Sequence, residues 1–314
     1  MISSNPSGRR QSELSDAKIK MPATAVIIAT IGRPEVLTGT VQRILGKQTF
    51  KPDILIVSCK DAEDCGSAAD WPGVRVVTGP PGLAAQRNTA LEVLPDSIDI
   101  VTFFDDDFVP AADWLEVVVQ LFQNEPSIAG VTGEVIADGI KGPGLNFEHA
   151  DRLIDFLKIA EASPLIEQYS PYGCNMAFRR SAIHGMHFDE KLVLYGWLED
   201  RDFGASLAAR GGRIVKCAQA RGVHMGVKRG RISGLRLGYS QIVNPIYMMK
   251  KGTMTPQETC GQIFRNLCSN LFKCAMPEKF IDRRGRLLGN LIGISDVLRG
   301  RINPQRAAKV GKSF

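Results

Sequence analysis

Five short apolar runs, interleaved with segments of helical period, occupy residues 23–136 of this 314-residue chain. The runs are ATAVIIAT (23–30), DILIVS (53–58), VRVVT (74–78), DIVTFF (99–104) and IAGVTGEVI (128–136). Between them, Val36, Leu37, Val41, Ile44 and Leu45 recur at the spacing of one helical face. LAAQRNTALEVL and ADWLEVVVQLFQNE read the same way. Short apolar strands alternating with helices of 10 to 15 residues build βαβ units, and so a largely parallel sheet flanked by helices. The expected fold class is therefore α/β. In such sheets ligands bind beyond the carboxyl ends of the strands.

The fourth run ends in an unusual way. Val101, Thr102, Phe103 and Phe104 lead directly into Asp105, Asp106 and Asp107. Adjacent carboxylates repel, and desolvating them is costly unless a positive group sits among them. A solvated turn would account for them, and so would a metal site. Strand side chains alternate, so Asp105 and Asp107 share one side and Asp106 takes the other. Two carboxylates on one side suit a hard divalent cation that also takes phosphate oxygens.

Three further segments carry candidate chemistry. GPPGLAAQRN opens a helix after a strand and places Arg87 and Asn88 in its first turns, but it lacks the Gly-Lys-Ser/Thr ending of a Walker loop. YGWLEDRDFGASLAARG puts Glu199 and Asp200 at the start of an apolar helix. Acidic residues there are ordinary dipole partners, and either could serve as a general base. His224 follows the strand-like GRIVKCAQA and precedes the basic VKRGRISGLR. It reads as a packing residue or as a ligand beside anionic phosphates.

Charge is unevenly distributed. Residues 221–314 carry 18 Lys/Arg and 4 Asp/Glu, a local net of +14, whereas residues 1–220 carry −8. The basic end suits anionic lipid, nucleic acid or phosphorylated substrate. Two amphipathic patterns lie within it. Ile263, Phe264, Leu267, Leu271, Phe272 and Ala275 form one apolar face. Leu287, Leu288, Leu291, Ile292, Ser295 and Leu298 form another, flanked by Arg283, Arg284, Arg286, Arg299 and Arg301. These helices either pack on the rest of the chain or in a homodimer, or lie at an anionic membrane surface.

No run of 18 or more apolar residues appears, and residues 1–22 lack an apolar signal region and read as a disordered lead. The seven cysteines are scattered without a C-x-x-C pair, as in a reduced, cytoplasmic protein.

Taken in order, these segments resemble family 2 glycosyltransferases of the GT-A type. VIIATIGRP resembles the opening strand and its Thr/Arg turn, and GLAAQRN the Gly-x-x-x-x-Arg-Asn segment. FFDDDFVP resembles the DxD motif, GCNMAFRR the Gly-x-Asn-x-x-x-Arg segment, and WLEDRDFG the Glu-Asp motif. RGRISGLRLGYSQIVNPIYMMKKG further resembles bacterial transferases that assemble exopolysaccharide repeat units.

The resemblance implies a GT-A nucleotide-diphospho-sugar transferase fold over residues 23–225, with a basic, mainly helical extension over 226–314. It implies an inverting, Mn²⁺- or Mg²⁺-dependent transfer of a hexose. The donor would be a nucleoside-diphosphate sugar, uridine diphosphate by family default, and the acceptor a saccharide or lipid-linked saccharide. Asp200 matches the catalytic base and Glu199 the acceptor-side acid. Thr30, Arg33, Arg87, Asn88, Asp105 and Asp106 match donor-nucleotide positions. Asp107 matches the metal–diphosphate ligand and His224 a further metal ligand. Asn175 and Trp197 fall on the acceptor side. The second strand ends in Ser58 and Cys59 where the family carries an Asp pair, so Asp61 is the expected substitute. Such an enzyme would sit in the cytoplasm, peripheral at the inner membrane. A sugar nucleotidyltransferase is the rival enzyme class. A nucleic-acid-binding protein is the rival non-enzyme, disfavoured by the few aromatics in the basic end.

Overall fold

In the computed structural model, which describes residues 21–157, 163–167, 170–229, 233–276 and 278–311, the apolar runs supply five strands of a nine-stranded mixed sheet. Its strands are β1 (Thr24–Thr30), β2 (Ile54–Cys59), β3 (Val74–Thr78), β4 (Ile100–Asp105), β5 (Phe108–Pro110), β6 (Ile128–Asp138), β7 (Ile166–Glu167), β8 (Asn175–Arg179) and β9 (Arg213–His224). The order is β3-β2-β1-β4-β8-β6-β9-β5, with β7 pairing β9. The pairs β3–β2, β2–β1 and β1–β4 are parallel, while β8 runs antiparallel to both β4 and β6. All seven residues of β1 are buried, as expected for a central strand covered on both faces.

Alternate residues of β1 feed two cores. Val26 and Ile28 pack with Leu37, Val41 and Ile44 of α1 (Pro34–Lys47) and with Trp114, Val118 and Phe122 of α3 (Trp114–Asn124). Ala25 and Ile27 face the other side, with Ala84, Ala90 and Leu91 of α2 (Leu83–Glu92) and Phe203 and Leu207 of α5 (Glu199–Ala209). The result is a helix–sheet–helix sandwich.

Strand register places the chemistry. Thr30 pairs with Cys59, and Ala29 with Asp105, so β1, β2 and β4 end at one edge. Antiparallel pairing of Phe104 with Asn175 brings the residues just before β8 to that edge. Phe108 pairs with His224, and His224 with Asp138, which sets Asp107, His224 and Asp138 side by side.

Helix α4 (Phe147–Phe156) is started by Asn146, whose side chain accepts from the His149 N–H; residues 158–162 lie outside the described residues. One element differs from the sequence expectation. His224, expected just past a strand, closes β9 because pairing with β5 and β6 extends that strand. Of the disordered lead expected over residues 1–22, residues 1–20 lie outside the described residues.

After β9 come α6 (Gly234–Lys251), α7 (Pro256–Cys274) and α8 (Arg283–Leu298). Helices α6 and α8 meet backbone to backbone. A Cβ at Gly238 would lie 2.0 Å from the Arg286 carbonyl oxygen, and one at Gly289 2.1 Å from that of Leu235. Gly289→Ala is therefore expected to separate the helices and cost about 1–3 kcal/mol of stability, measured by denaturant unfolding. No helix among the described residues is long and apolar enough to cross a membrane.

Candidate active site

The three aspartates after β4 diverge to three different environments. Asp106 is wholly buried; its carboxylate accepts from the Thr30 hydroxyl at 2.7 Å and pairs with Arg33 at 2.7 Å. Burial raises its pKa to about 7, with Arg33 opposing. Its carbonyl accepts from Thr40 of α1. Asp106 thus fastens the turn to β1 and α1. Asp105 accepts from Arg87 at 3.2 Å. Asp107 accepts the Val227 N–H at 2.8 Å through Oδ2, with Arg33 at 3.6 Å, and turns Oδ1 toward His224 Nε2 at 3.3 Å.

His224 lies between two carboxylates. Its Nδ1 is 3.2 Å from Asp138 Oδ1, and the Tyr172 hydroxyl donates to Asp138 Oδ2 at 2.9 Å. The Tyr172 ring stands at 90° to the imidazole. Burial works against charge on His224, but Asp107 and Asp138 outweigh it and raise its pKa to about 10. Burial likewise opposes the ionised form of Asp107, yet His224, Arg33 and the Val227 N–H bring it down to about 2.

On the other side of Asp105 stands a second constellation. Arg87 is 1% exposed and lies near the rings of Phe103 and Phe188. It pairs with Glu199, reaches Asp105, and donates to the Gly173 carbonyl at 2.7 Å. Burial raises Glu199 to about 8, with Arg87 opposing. Because a guanidinium does not give up its proton, any proton held by this pair belongs to Glu199. Asp200 accepts the Gly173 N–H at 2.8 Å and the Arg201 N–H at 2.7 Å, and burial raises its pKa against both. The turn that delivers this pair alternates left-handed residues: Leu194 (φ 64°), Gly196 (φ 61°) and Leu198 (φ 74°). Non-glycine residues rarely adopt that conformation, and two in one turn mark a segment held by its surroundings. Asp200 lines a cavity of about 520 Å³ with Asp138, Tyr172, Glu134, Arg201 and Lys216.

The structure thus gathers Thr30, Arg33, Arg87, Asp105, Asp106, Asp107, Glu199, Asp200 and His224 at one edge of the sheet. Four other residues singled out in the sequence sit differently. The Asn88 side chain is engaged by the loop before α5, giving to the Phe188 carbonyl and Glu190 and accepting the Phe188 N–H. Asp61 is exposed, pairs with Lys60 and caps the 3₁₀ turn Ala62–Asp70. Asn175 is wholly buried on β8 and meets Thr132 of the cavity wall, so it has no surface to offer an acceptor directly. Trp197 is half-buried and its carbonyl accepts from Asn244 of α6, but it is not among the residues that line the cavity.

Sequence reasoning missed Asp138, Tyr172, Tyr195 and Gln86. Asp138 ends a strand with no motif around it, and only the β6–β9 register reveals it. Gln86 Nε2 donates to the Thr30 and Ser58 carbonyls, tying β1 to β2 beneath the edge. Burial of the Tyr195 hydroxyl, and next the charges of Asp105 and Asp107, hold it above the usual tyrosine range, while the residue keeps 46% of its surface exposed.

One oxygen each of Asp105 and Asp107 and one nitrogen of His224 lie within 4.8 Å of one another. Two carboxylates and one imidazole suit Mn²⁺ or Mg²⁺, and with Asp138 on Nδ1 the Nε2 atom lies 3.3 Å from Asp107 Oδ1. The residues fit a divalent cation.

The chain's fold is shared by the mannosyltransferase PcManGT from Pyrobaculum calidifontis, solved in complex with GDP-Man and Mn²⁺. The two superpose with a TM-score of 0.53 at 17% identity, over 93% of this chain and 79% of that one. Among curated protein sequences, none matches. The sequence profile of glycosyl transferase family 2 does match, over residues 25–186. That stretch is more than half of the chain and carries β1 to β4, the three aspartates, Arg87 and β8, so the chain belongs to glycosyltransferase family 2.

Proposed function

We propose that this protein is an inverting, metal-dependent glycosyltransferase that moves a hexose from a nucleoside-diphosphate sugar to a saccharide or lipid-linked saccharide acceptor. The observation that carries this reading is the separation of two acidic groups by Arg87. Arg87 bridges Asp105, which meets Asp107 and His224, to Glu199, and the next residue, Asp200, faces the cavity. Inverting transfer needs such a division, because the attacking hydroxyl and the leaving diphosphate lie on opposite faces of the anomeric carbon.

In this reading Asp105, Asp107 and His224 hold a divalent cation, Mn²⁺ or Mg²⁺. When bound, the cation neutralises charge developing on the departing diphosphate. Thr30 and Arg33 fix the turn through Asp106. Asp200, oriented by the Gly173 and Arg201 N–H groups, receives the proton of the acceptor hydroxyl. Glu199 and Arg87 hold Asp200 and Asp105 at a set spacing. The cavity beside Asp200 takes the acceptor sugar. Residues 23–225 form the catalytic part and residues 226–314 the appended helices. Asp61, just past the buried Ser58 and Cys59, is the acidic group assigned here to the base and ribose. Assembly of a bacterial polysaccharide is the setting that the resemblance of residues 229–252 favours.

The experiment is to incubate the protein with nucleoside-diphosphate hexoses and Mn²⁺ and identify the product nucleotide. Release of nucleoside diphosphate supports the reading, and release of pyrophosphate would replace it with nucleotidyl transfer.

Asp138 serves here as a positioning residue. As a neutral ring with its proton on Nδ1 toward Asp138, His224 presents Nε2 to the metal. Asp138→Asn is expected to weaken Mn²⁺ affinity about 10–100-fold, read by calorimetric titration. Tyr172→Phe, which removes the hydroxyl that donates to Asp138 and lies 3.5 Å from His224 Nδ1, should weaken it less. Unchanged affinity in Asp138→Asn would leave Asp138 a structural partner only.

A further inference from the structure

Helices α7 and α8 bury mainly polar side chains, while the small apolar cluster of the extension is built on Tyr239 and Val243 of α6, with Ile292 and Val297 of α8 against it. The buried residues of α7 are Thr259 and Asn270, and those of α8 are Arg283, Gly289, Asn290, Gly293 and Asp296. None of these is an apolar side chain larger than glycine. Inside, Asn270 donates to Gln241 and Asn290, Asn290 donates to the Gly238 carbonyl, and Arg283 donates to Asn270. Outside stand Phe264 (68% exposed), Leu271, Phe272 (74%), Met276, Leu288, Leu291 and Leu298 (82%). At helical spacing, Phe264, Leu271 and Phe272 fall on the half of α7 away from the buried Asn270, and Leu288, Leu291 and Leu298 on the half of α8 away from the buried Gly293.

A helical unit folded only against water puts its apolar stripe inward. Small residues at close helix contacts, polar side chains bonded within and apolar side chains outside are the pattern of helices that meet lipid.

Charge identifies the occupant. Arg284 and Arg299 fall on the same α8 stripe as the exposed leucines, Arg265 adjoins Phe264, and Lys279 lies over the Phe280 ring. Arg265, Arg284, Arg299 and Arg301 are exposed and make no ion pair among the described residues. The acidic residues of these helices are engaged internally. Asp296 takes Tyr239 and Arg306, Glu278 takes Lys273 and Arg283, Asp282 caps α8, and Glu258 pairs with Arg201. The outward surface is therefore apolar and positive.

We infer that the outer faces of α7 and α8 dock on an anionic lipid bilayer, with Phe264, Phe272 and Leu298 entering the headgroup boundary and the arginines meeting lipid phosphates. Neither helix is apolar enough to span a membrane, so the attachment is interfacial. A lipid-linked acceptor is what would make this docking useful to the transfer proposed above. The surface itself shares no residue with the site, so its test stands apart from that reading.

The full chain is sedimented with phosphatidylcholine vesicles with and without phosphatidylglycerol, at low and high salt. Binding is expected only to the anionic vesicles and should weaken at high salt. Each basic residue near such a surface contributes about fivefold in partition, so Arg265→Gln, Arg284→Gln, Arg299→Gln and Arg301→Gln combined should lower binding at least ~10-fold. Phe264→Ser with Phe272→Ser should lower it by a similar factor. Both variants should keep the far-ultraviolet circular dichroism and unfolding midpoint of the parent, because the changed side chains are exposed. Equal binding to neutral and anionic vesicles would overturn the inference, as would no binding at all. So would a dimer, seen by sedimentation velocity without lipid, that the two Phe→Ser changes dissociate. That result would make the face a self-interface.

Discussion

Asp200→Asn is expected to keep donor and Mn²⁺ affinity near parental while turnover falls at least ~10²-fold. The change is nearly isosteric. The amide oxygen can still accept one of the two N–H bonds that orient this side chain, from Gly173 and Arg201. What is lost is the capacity to take a proton from a hydroxyl in the cavity. Burial already raises the pKa of Asp200, which strengthens it as a base compared with a solvated aspartate. Glu199 is the competing candidate, and its environment argues for another role. It is 3% exposed, pairs directly with Arg87, and does not line the cavity. Glu199→Gln should therefore disturb the Arg87 strut, lowering both stability and turnover. If Glu199→Gln abolishes transfer while Asp200→Asn leaves it near normal, the roles within the pair are reversed. If neither slows transfer, the central step proposed here fails.

How much of this was legible in the chain depends on the range over which each signal acts. The parallel half of the sheet was readable because β1, β2 and β4 are short apolar runs with helices between them, and local periodicity records that arrangement. Asp105 and Asp107 were readable as a same-side pair because strand alternation is a two-residue rule. His224 stood out only through its basic neighbours and a family resemblance, and its partner Asp138 not at all. That contact arises from pairing His224 with Asp138 across strands 86 positions apart, which no local pattern encodes. Arg87 presented the opposite problem. Near the start of a helix it reads as a solvated residue or, by the family resemblance, a donor-nucleotide position, and the fold buries it between Asp105 and Glu199. Spacing located the residue, while its environment came from the loop 188–199, whose left-handed turns have only Gly196 as a sequence sign. The extension left two readings open. Apolar residues at helical spacing suit an inward face or a lipid-facing one, and only the close approach of α6 and α8 at glycines 238, 289 and 293 shows that polar side chains of α8 lie inside.

Removing the charge of Asp107 is expected to abolish Mn²⁺-dependent donor binding and to lower turnover by ~10³-fold, the rate equivalent of about 4 kcal/mol. Asp107→Asn is the informative variant. Its side chain can still accept the Val227 N–H that now meets Oδ2, so the turn into β5 keeps its tie. The negative charge facing His224 Nε2 disappears, and with it one of the two carboxylates of the metal cluster. Excess chelator acting on the parental protein should reproduce the loss, and Mn²⁺ should restore the parent but not the variant. Asp106→Asn provides the contrast within the same three-residue run. That carboxylate is buried against Thr30 and Arg33 and has no part in the cluster. Breaking a buried pair by removing one charge is strongly destabilising, on the order of 3–5 kcal/mol for a fully buried partner. Arg33 remains 19% exposed at its side chain, so a smaller loss is expected here. Asp106→Asn should therefore lower the unfolding midpoint while leaving Mn²⁺ affinity within a few-fold of parental. The three aspartates would then separate into one that secures the turn and two that face the metal. If Asp107→Asn keeps Mn²⁺ affinity and Asp106→Asn loses it, the ligand lies on the buried side of the turn and the proposed donor site is wrong.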